Sequence, residues 1–379
     1  MIERLARYVS IRSLSREETA LADAVVADLR AAGLIVQRRG NNVWCEFGDS
    51  AGPRLLLNSH LDTVPAGEGW SHDPWTPRIA NGALSGLGAN DAKGCVTAMI
   101  DCALELKRFV DTGGTLGGTV VLALTAEEEI SGQGLSTILN EFGPIDAALV
   151  GEPTGLAPMT AQRGLLIVMG RAQGRTGHPA NTPPGSADNA INVAAADIRR
   201  LGEFDWGPPH PLLGRTHAHV TQINGGIARN VIPDACEFTL DIRTTPVETH
   251  RATFARLQSA LESELRIHSE RLVPVETATE HPVVAACMAV TDRPPTGSPA
   301  MSDMVFLSDV PAVKIGPGES SRSHTPNEYL LESELIAGAK AYERIVRTYF
   351  STCCGDTVKN GRLTSVAASS SKSIVGAGR

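Results

Sequence analysis

Apolar positions recur along this chain with two different periods, and the change from one to the other divides it. Near the start Leu21, Ala24, Val25 and Leu29 return every three or four residues, which puts them on one face of a helix. Ser15 followed by Glu18 predicts a capping box at that helix's start, and Gly33 predicts its end. Short apolar runs follow at 34–36, 43–47, 54–57, 120–124 and 147–150, with helical periodicity over 92–108 and 134–141. Strands interleaved with helices at this spacing predict an α/β fold, a mixed and mostly parallel sheet flanked by helices.

From about 165 the texture changes. Alternating segments at 165–172, 217–223 and 236–242 predict strands, and 186–201 and 247–266 predict helices, together an inserted α+β unit. The apolar run at 311–315, the turn Gly316-Pro317-Gly318 and a helix from 330 to about 349 predict a return to the first sheet. The expected organisation is one domain over 1–164 and 274–350 and an inserted domain over 165–273. The stretch 351–379, rich in Ser, Gly and Ala, predicts a disordered tail.

A length of 379 residues agrees with two units, because single cores rarely grow past about 250 residues. With 42% hydrophobic and 20% charged residues the chain has the balance of a water-soluble globular protein. Its net charge of −8, with no basic block, argues against nucleic acid and anionic membranes as partners and for a small molecule. The opening MIERLARYVS lacks the apolar core of a signal peptide, and no run reaches the roughly 18 apolar residues that span a bilayer, so a cytoplasmic protein is expected. Seven cysteines, scattered and without a C-x-x-C pair, predict buried reduced thiols.

Five clusters can carry chemistry. His60 and Asp62 follow the apolar run 54–57, at a strand end that faces the ligand crevice of an open α/β sheet. There His60 suits a metal ion, with Asp62 orienting the imidazole. Asp91 closes Gly86-Leu87-Gly88-Ala89-Asn90-Asp91, which resembles a dinucleotide loop but has a carboxylate where the third glycine belongs. A carboxylate there would repel pyrophosphate and suits a bridging metal ligand, which sets a nucleotide-dependent oxidoreductase aside. Glu127, Glu128 and Glu129 follow the run 120–124; three adjacent acids repel one another, which a protein tolerates when cations lie between them or when they form a solvated helix start. Neighbouring residues point in different directions, so one of them can bind metal while another moves protons. Glu152, stiffened by Pro153, follows the run 147–150, and His324 follows the Gly-Pro-Gly turn. Carboxylates and imidazoles without thiolates suit Zn²⁺, with Co²⁺ or Mn²⁺ as substitutes.

In this order the clusters resemble the dinuclear-zinc family that contains acetylornithine deacetylase, succinyl-diaminopimelate desuccinylase, aminoacylases and glutamate carboxypeptidases, over roughly residues 1–350. The resemblance implies a zinc-exopeptidase-like catalytic domain and two divalent metal ions per chain. Asp91 would bridge them, with His60 and Glu152 on one ion and Glu129 and His324 on the other. Glu128 would be the general base; Glu127 stands where many relatives have Asp, which leaves open a frame with Glu127 as base and Glu128 as ligand. The inserted domain of such enzymes mediates dimerisation. It implies a homodimer in which His178, with Asn230 nearby, serves the oxyanion across the interface, and in which Arg243 grips the substrate's α-carboxylate. The Gly316 to Gly318 turn is expected to offer backbone amides to the substrate, and Arg163 stands beside the hinge. The implied reaction removes an acyl group, acetyl foremost, from a small N-acyl amino acid such as N-acetylornithine, a step of arginine biosynthesis. Gly-Glu-Pro-Thr at 151–154 and His-Thr-Pro-Asn-Glu-Tyr at 324–329 look closest to the deacetylase branch. A carboxypeptidase or dipeptidase, and a non-catalytic binding protein, are the competing readings.

Overall fold

The computed structural model describes residues 1–130, 133–183 and 189–354, with two short pieces of backbone at 358–359 and 362–363. Two helices, α1 (Ile2–Ser10) and α2 (Thr19–Ala31), precede the strands β1 (Val36–Arg39), β2 (Asn42–Gly48) and β3 (Arg54–His60). A small hairpin, β4 (Arg78–Ala80) and β5 (Ala83–Ser85), leads into α3 (Lys93–Asp111). Then come β6 (Thr119–Thr125), α4 (Gln133–Ile138), β7 (Ala147–Val150) and β8 (Met159–Gln162). The next segment holds β9 (Gly164–Gln173), α5 (Ala190–Glu203), β10 (His217–Gly225), β11 (Ala235–Thr244), α6 (His250–Ala260) and β12 (Glu264–Leu272). The chain returns through β13 (Val275–Glu276), α7 (Pro282–Thr291), β14 (Thr296–Ser298), β15 (Ala312–Lys314), β16 (Tyr329–Leu331) and α8 (Glu332–Cys353).

The main sheet runs β1-β2-β6-β3-β7-β15-β8-β13, with β14 on β8. Its centre, from β6 through β3 and β7 to β15, is parallel. Parallel strands covered on both faces must be apolar on both, and every residue of β6 and β7 is buried. Alternate residues feed opposite cores. Leu55, Leu57, Val120 and Leu122 join the core under α1, α2, α3, α7 and α8, while Leu56, Val121 and Ala123 join the core under α4. The segments that carry His60, the acidic run 127–129 and Glu152 lie at the carboxyl ends of β3, β6 and β7, so the packing of the sheet fixes where their side chains start.

The second sheet, β10-β11-β9-β12, is antiparallel, and its strands lie in sequence between β8 and β13. Burial alternates along β9, and the buried set of Leu166, Val168, Leu240 and Ile242 packs with Ala194 and Leu201 of α5 and Leu257 of α6. Among the described residues no helix is long and apolar enough to cross a membrane.

Several expectations need correction. Ser15 and Glu18 form no capping box: Ser15 Oγ donates to Asp62, and Glu18 accepts from the Arg16 and Glu127 amides and from Asn41. The helix expected over 247–266 stops at Ala260, and the strand β12 follows. The cause is Asp197 of α5, whose buried carboxylate accepts the backbone N–H groups of Glu262 and Ser263 and pins a turn there. Beyond the turn Leu265 and Ile267 reach the second core at strand spacing. Cys45, Cys95, Cys102, Cys236 and Cys287 are buried thiols as expected, but Cys353 and Cys354 are exposed at the end of α8. That helix occupies 351–353 of the expected tail, most of whose remainder lies outside the described residues.

Candidate metal centre

His60 is the last residue of β3, and Glu152 stands two positions past the end of the neighbouring parallel strand β7. Asp91 lies just before α3, after a loop that leaves the short antiparallel strand β5 rather than a central parallel strand, which removes the dinucleotide-loop context. The Asp91–Ala92 peptide bond is cis. Glu127, Glu128 and Glu129 follow β6, and His324 comes from the segment between β15 and β16.

The structure brings the five expected ligands together in two pairs, one on each oxygen of Asp91. His60 Nε2 lies 3.2 Å from Asp91 Oδ1 and 3.8 Å from Glu152 Oε1. His324 Nε2 lies 3.7 Å from Asp91 Oδ2 and 3.0 Å from Glu129 Oε1. Ligand atoms 2.0–2.2 Å from a tetrahedral zinc ion sit roughly 3.3–3.6 Å from one another, so these separations bracket a coordination shell. Imidazole with carboxylate, free of thiolate, is a donor set suited to zinc and its neighbours. Looser groupings, His60–Asp91–Glu129 and His60–Glu128–Glu152, fall within 4.8 Å. The shorter distances, two of them hydrogen bonds, favour the pairing through Asp91.

Electrostatics agree with a place for cations. Burial, with the charge of Asp91 next, pushes the Glu152 carboxyl up to about 8. Burial also raises Glu128 far above the usual carboxylate range, with Glu152, Asp303 and Glu129 adding to it against His60. At His60 burial works against protonation, but hydrogen bonds with Asp62 and Asp91 and the charges of Glu152 and Glu128 outweigh it, and its pKa rises. The Glu129 hydrogen bond lifts the His324 imidazole to about 9.

Asp62 does more than face the imidazole. His60 Nδ1 lies 3.0 Å from the Asp62 carbonyl and 3.4 Å from Oδ1. The same carboxylate accepts the backbone N–H groups of Glu128 and Glu129, each at 3.1 Å, and the Ser15 hydroxyl at 2.7 Å. It therefore fixes both halves of the site. Glu127 turns away: its backbone has φ 58°, and its side chain meets Arg16 Nε at 3.3 Å. His324, also at φ 58°, holds a conformation that non-glycine residues seldom adopt.

Three holding groups carry no assigned role in the sequence reading. Glu328, buried, accepts from the amides of Gly88 at 3.1 Å, Asn90 at 2.7 Å and Asp91 at 2.8 Å, and so clamps the loop that carries Asp91. Lys93, also buried, donates to the Tyr8 and Ile11 carbonyls. Asp303 accepts from the Thr125 hydroxyl at 2.7 Å, behind the acidic run. Glu328 gave a signal, an acid beside the apolar 329–331 in the fifth cluster; Lys93 and Asp303 gave none.

The remaining residues lie elsewhere. His178 is exposed, and its Nδ1 accepts from the Ala180 amide. Gly177 bridges to Ile232, which brings His178 beside the loop of Asn230. Arg243 is paired with Asp241 of its own strand at 2.7 and 3.1 Å. Arg163 is buried and donates to the carbonyls of Arg215, Arg243 and Leu213, tying β9 to its neighbours. The Gly316 amide is taken by Thr154 Oγ1, so the glycine turn is joined to 154–156 instead of offering that amide to a substrate. A side chain at Gly316 would strike the Glu152 carbonyl and the Tyr342 hydroxyl.

The profile described as Peptidase family M20/M25/M40 matches residues 56–348. An acetylornithine deacetylase of Edwardsiella ictaluri is 30% identical over 76% of this chain and 78% of its own length. A succinyl-diaminopimelate desuccinylase of Stenotrophomonas maltophilia is 32% identical over 81% of this chain and 86% of its own. Among solved structures, the YXEP protein of Bacillus subtilis, described as a dinuclear metal binding peptidase from the M20 family, superposes with a TM-score of 0.72. It covers 93% of this chain and 98% of its own at 16% identity, a likeness of fold.

Proposed function

The chain belongs to peptidase family M20/M25/M40 and is an enzyme that hydrolyses amide bonds; from that premise we propose that it is a dinuclear metal-dependent amidohydrolase that frees a small amino acid from its N-acyl group, acetyl foremost. The observation that carries this reading is Asp91, whose two oxygens face separate imidazole–carboxylate pairs at coordination distances. His60 and Glu152 would hold one ion, Glu129 and His324 the other, and Asp91 would serve both. Zinc fits this donor set, with cobalt or manganese as substitutes.

Two such ions, when bound, lower the pKa of a shared water and polarise the acyl carbonyl. Glu128 stands against His60 and Glu152 without belonging to either pair, and it is the group placed to take the proton from that water and give it to the leaving amine. The turn of Glu127 towards Arg16 argues against the shifted frame in which Glu127 is the base. Asp62 keeps His60 and the backbone of the acidic run in register.

The acyl amino acid class rests on the deacetylase and desuccinylase relatives, and N-acetylornithine is the first substrate to try. We extend the reading to a homodimer. β10 is an edge strand, and an open strand edge is a template for pairing with a second copy; Ile223 on it is 54% exposed and Ile227, just past its end, 88%. In that assembly His178 and Asn230 serve the oxyanion of the partner's site, and Arg243 exchanges Asp241 for the substrate's α-carboxylate.

The test is release of free amine from N-acetylornithine and a panel of N-acyl amino acids by metal-loaded protein. Glu128→Gln should keep its metal and lose about 10²–10⁴-fold in kcat, the usual range for a proton-transfer group. Undiminished turnover in that variant, or no hydrolysis of any amide by the wild type, would defeat the proposal.

A further inference from the structure

The cavity lined by Glu128 and Glu129 is also lined by Arg271 and His268 of β12, and we infer that the non-reacting end of the substrate carries a carboxylate received by Arg271 with His268. This rests on the amidohydrolase reading and names the chemical class of its substrate. The cavity measures about 480 Å³, within the range of roughly 300–1,000 Å³ typical of small-molecule sites. Glu128 and Glu129 form the end where the amide reacts, and β12, the edge strand of the second sheet, forms the other.

A regular strand cannot present both side chains to one side. Residues three apart face opposite sides, so His268 and Arg271 would point away from each other. The register of β12 against β9 slips twice, between Ile267 and Ser269 and again between Ser269 and Leu272. Such irregularities re-aim side chains and recur beside active sites. Here they let His268 and Arg271 line one cavity.

Much of the remaining lining is apolar, with Leu165 and Ile167 of β9 and Val305 and Phe306 among it. It suits a run of methylenes. Among the described residues the acids lining the cavity are Glu128 and Glu129 alone, so a cationic tail such as ornithine's meets no counter-charge at the β12 end. A guanidinium there matches a carboxylate with two parallel hydrogen bonds. The carboxylate belongs either to a dicarboxylic acyl group or to an acidic amino-acid side chain.

Metal-loaded full-length protein would be assayed on matched pairs. N-succinyl-norvaline against N-butanoyl-norvaline tests the acyl side; N-acetyl-glutamate against N-acetyl-norvaline and N-acetyl-ornithine tests the amino-acid side. We expect kcat/KM to favour the anionic member of one pair by about ten- to a hundredfold, the weight of a hydrogen bond to a charged group, and the favoured pair identifies the source. Arg271→Gln should collapse that ratio, mainly through KM, Arg271→Lys should restore part of it, and Arg271→Glu should turn preference towards N-acetyl-ornithine. Calorimetric binding of succinate against butyrate, with wild type and Arg271→Gln, reads the same wall without turnover. Equal rates within both pairs, or a preference that survives Arg271→Gln, would overturn the inference while leaving the amidohydrolase reading intact. A panel with no hydrolysis would defeat that reading, and the succinate measurement would still decide this one.

Discussion

Asp91 serves two pairs of ligands only if its own backbone is held still. Glu328 does this through three amide hydrogen bonds, on a carboxylate that burial and the charge of Asp91 push up to about 7 against those bonds. Replacing it leaves three buried N–H groups without an acceptor, each a cost of about 1–3 kcal/mol. Glu328→Ala should therefore weaken metal binding by about 10–100-fold, as loss of a group that orients a ligand usually does, and Glu328→Gln should lose less. Chelator competition measures this; an unchanged affinity would mean that the loop keeps its shape unaided. The five candidate ligands stand out in the sequence because each follows an apolar run or a glycine-containing turn. Glu328, Lys93 and Asp303 were not, because what they hold is distant in the chain, and no local spacing records that approach. Glu127 shows the opposite failure, since three adjacent acids look alike until the backbone turns one of them towards Arg16.

At the scale of elements, the central strands β3, β6 and β7 were legible because a parallel strand buried on both faces carries an unbroken apolar run, here 55–57, 120–124 and 147–150. The failure at 247–266 has the reverse cause. Leu257, Leu261, Leu265 and Ile267 fit a helix about as well as a helix followed by a strand, and what decides is Asp197, more than sixty positions away. Burial raises the Asp197 carboxyl, but hydrogen bonds from Ser263, Glu262 and Arg200 outweigh it and hold its pKa below the ordinary value. A depressed carboxylate stabilises the fold fully above its unfolded value of about 3.9 and loses that contribution as pH falls through the folded value. Asp197→Asn should therefore cost about 1–3 kcal/mol near neutral pH, by denaturant unfolding, and should flatten the acid limb of stability below about pH 4. A variant as stable as wild type, with an unchanged acid limb, would remove Asp197 from the account of that turn. The short strands β8, β13 and β14 escaped the sequence reading, as strands of two to four residues carry too little periodicity to register; helix α7 escaped it as well.

At the scale of the whole molecule, two sheets with separate cores meet at the cavity between the acidic run and β12. The main sheet carries His60, Glu129 and Glu152 at its strand ends, the loop after β5 carries Asp91, and the second sheet contributes β12 to the cavity. That division explains why family membership and reaction class can be read from the main-sheet motifs alone, whereas the choice of substrate depends on an edge strand whose register irregularities no sequence pattern announced. Everything functional in this account depends on the chain holding two ions through Asp91. The most direct measurement is therefore the metal content of the purified protein by mass spectrometry, taken with its hydrolytic activity before and after chelation. The account predicts about two zinc-type ions per chain, activity abolished when they are removed and regained when Zn²⁺ or Co²⁺ is returned, and metal content reduced in Asp91→Ala. A protein that binds no such ion on reconstitution, or that hydrolyses its substrate equally well without one, would contradict it.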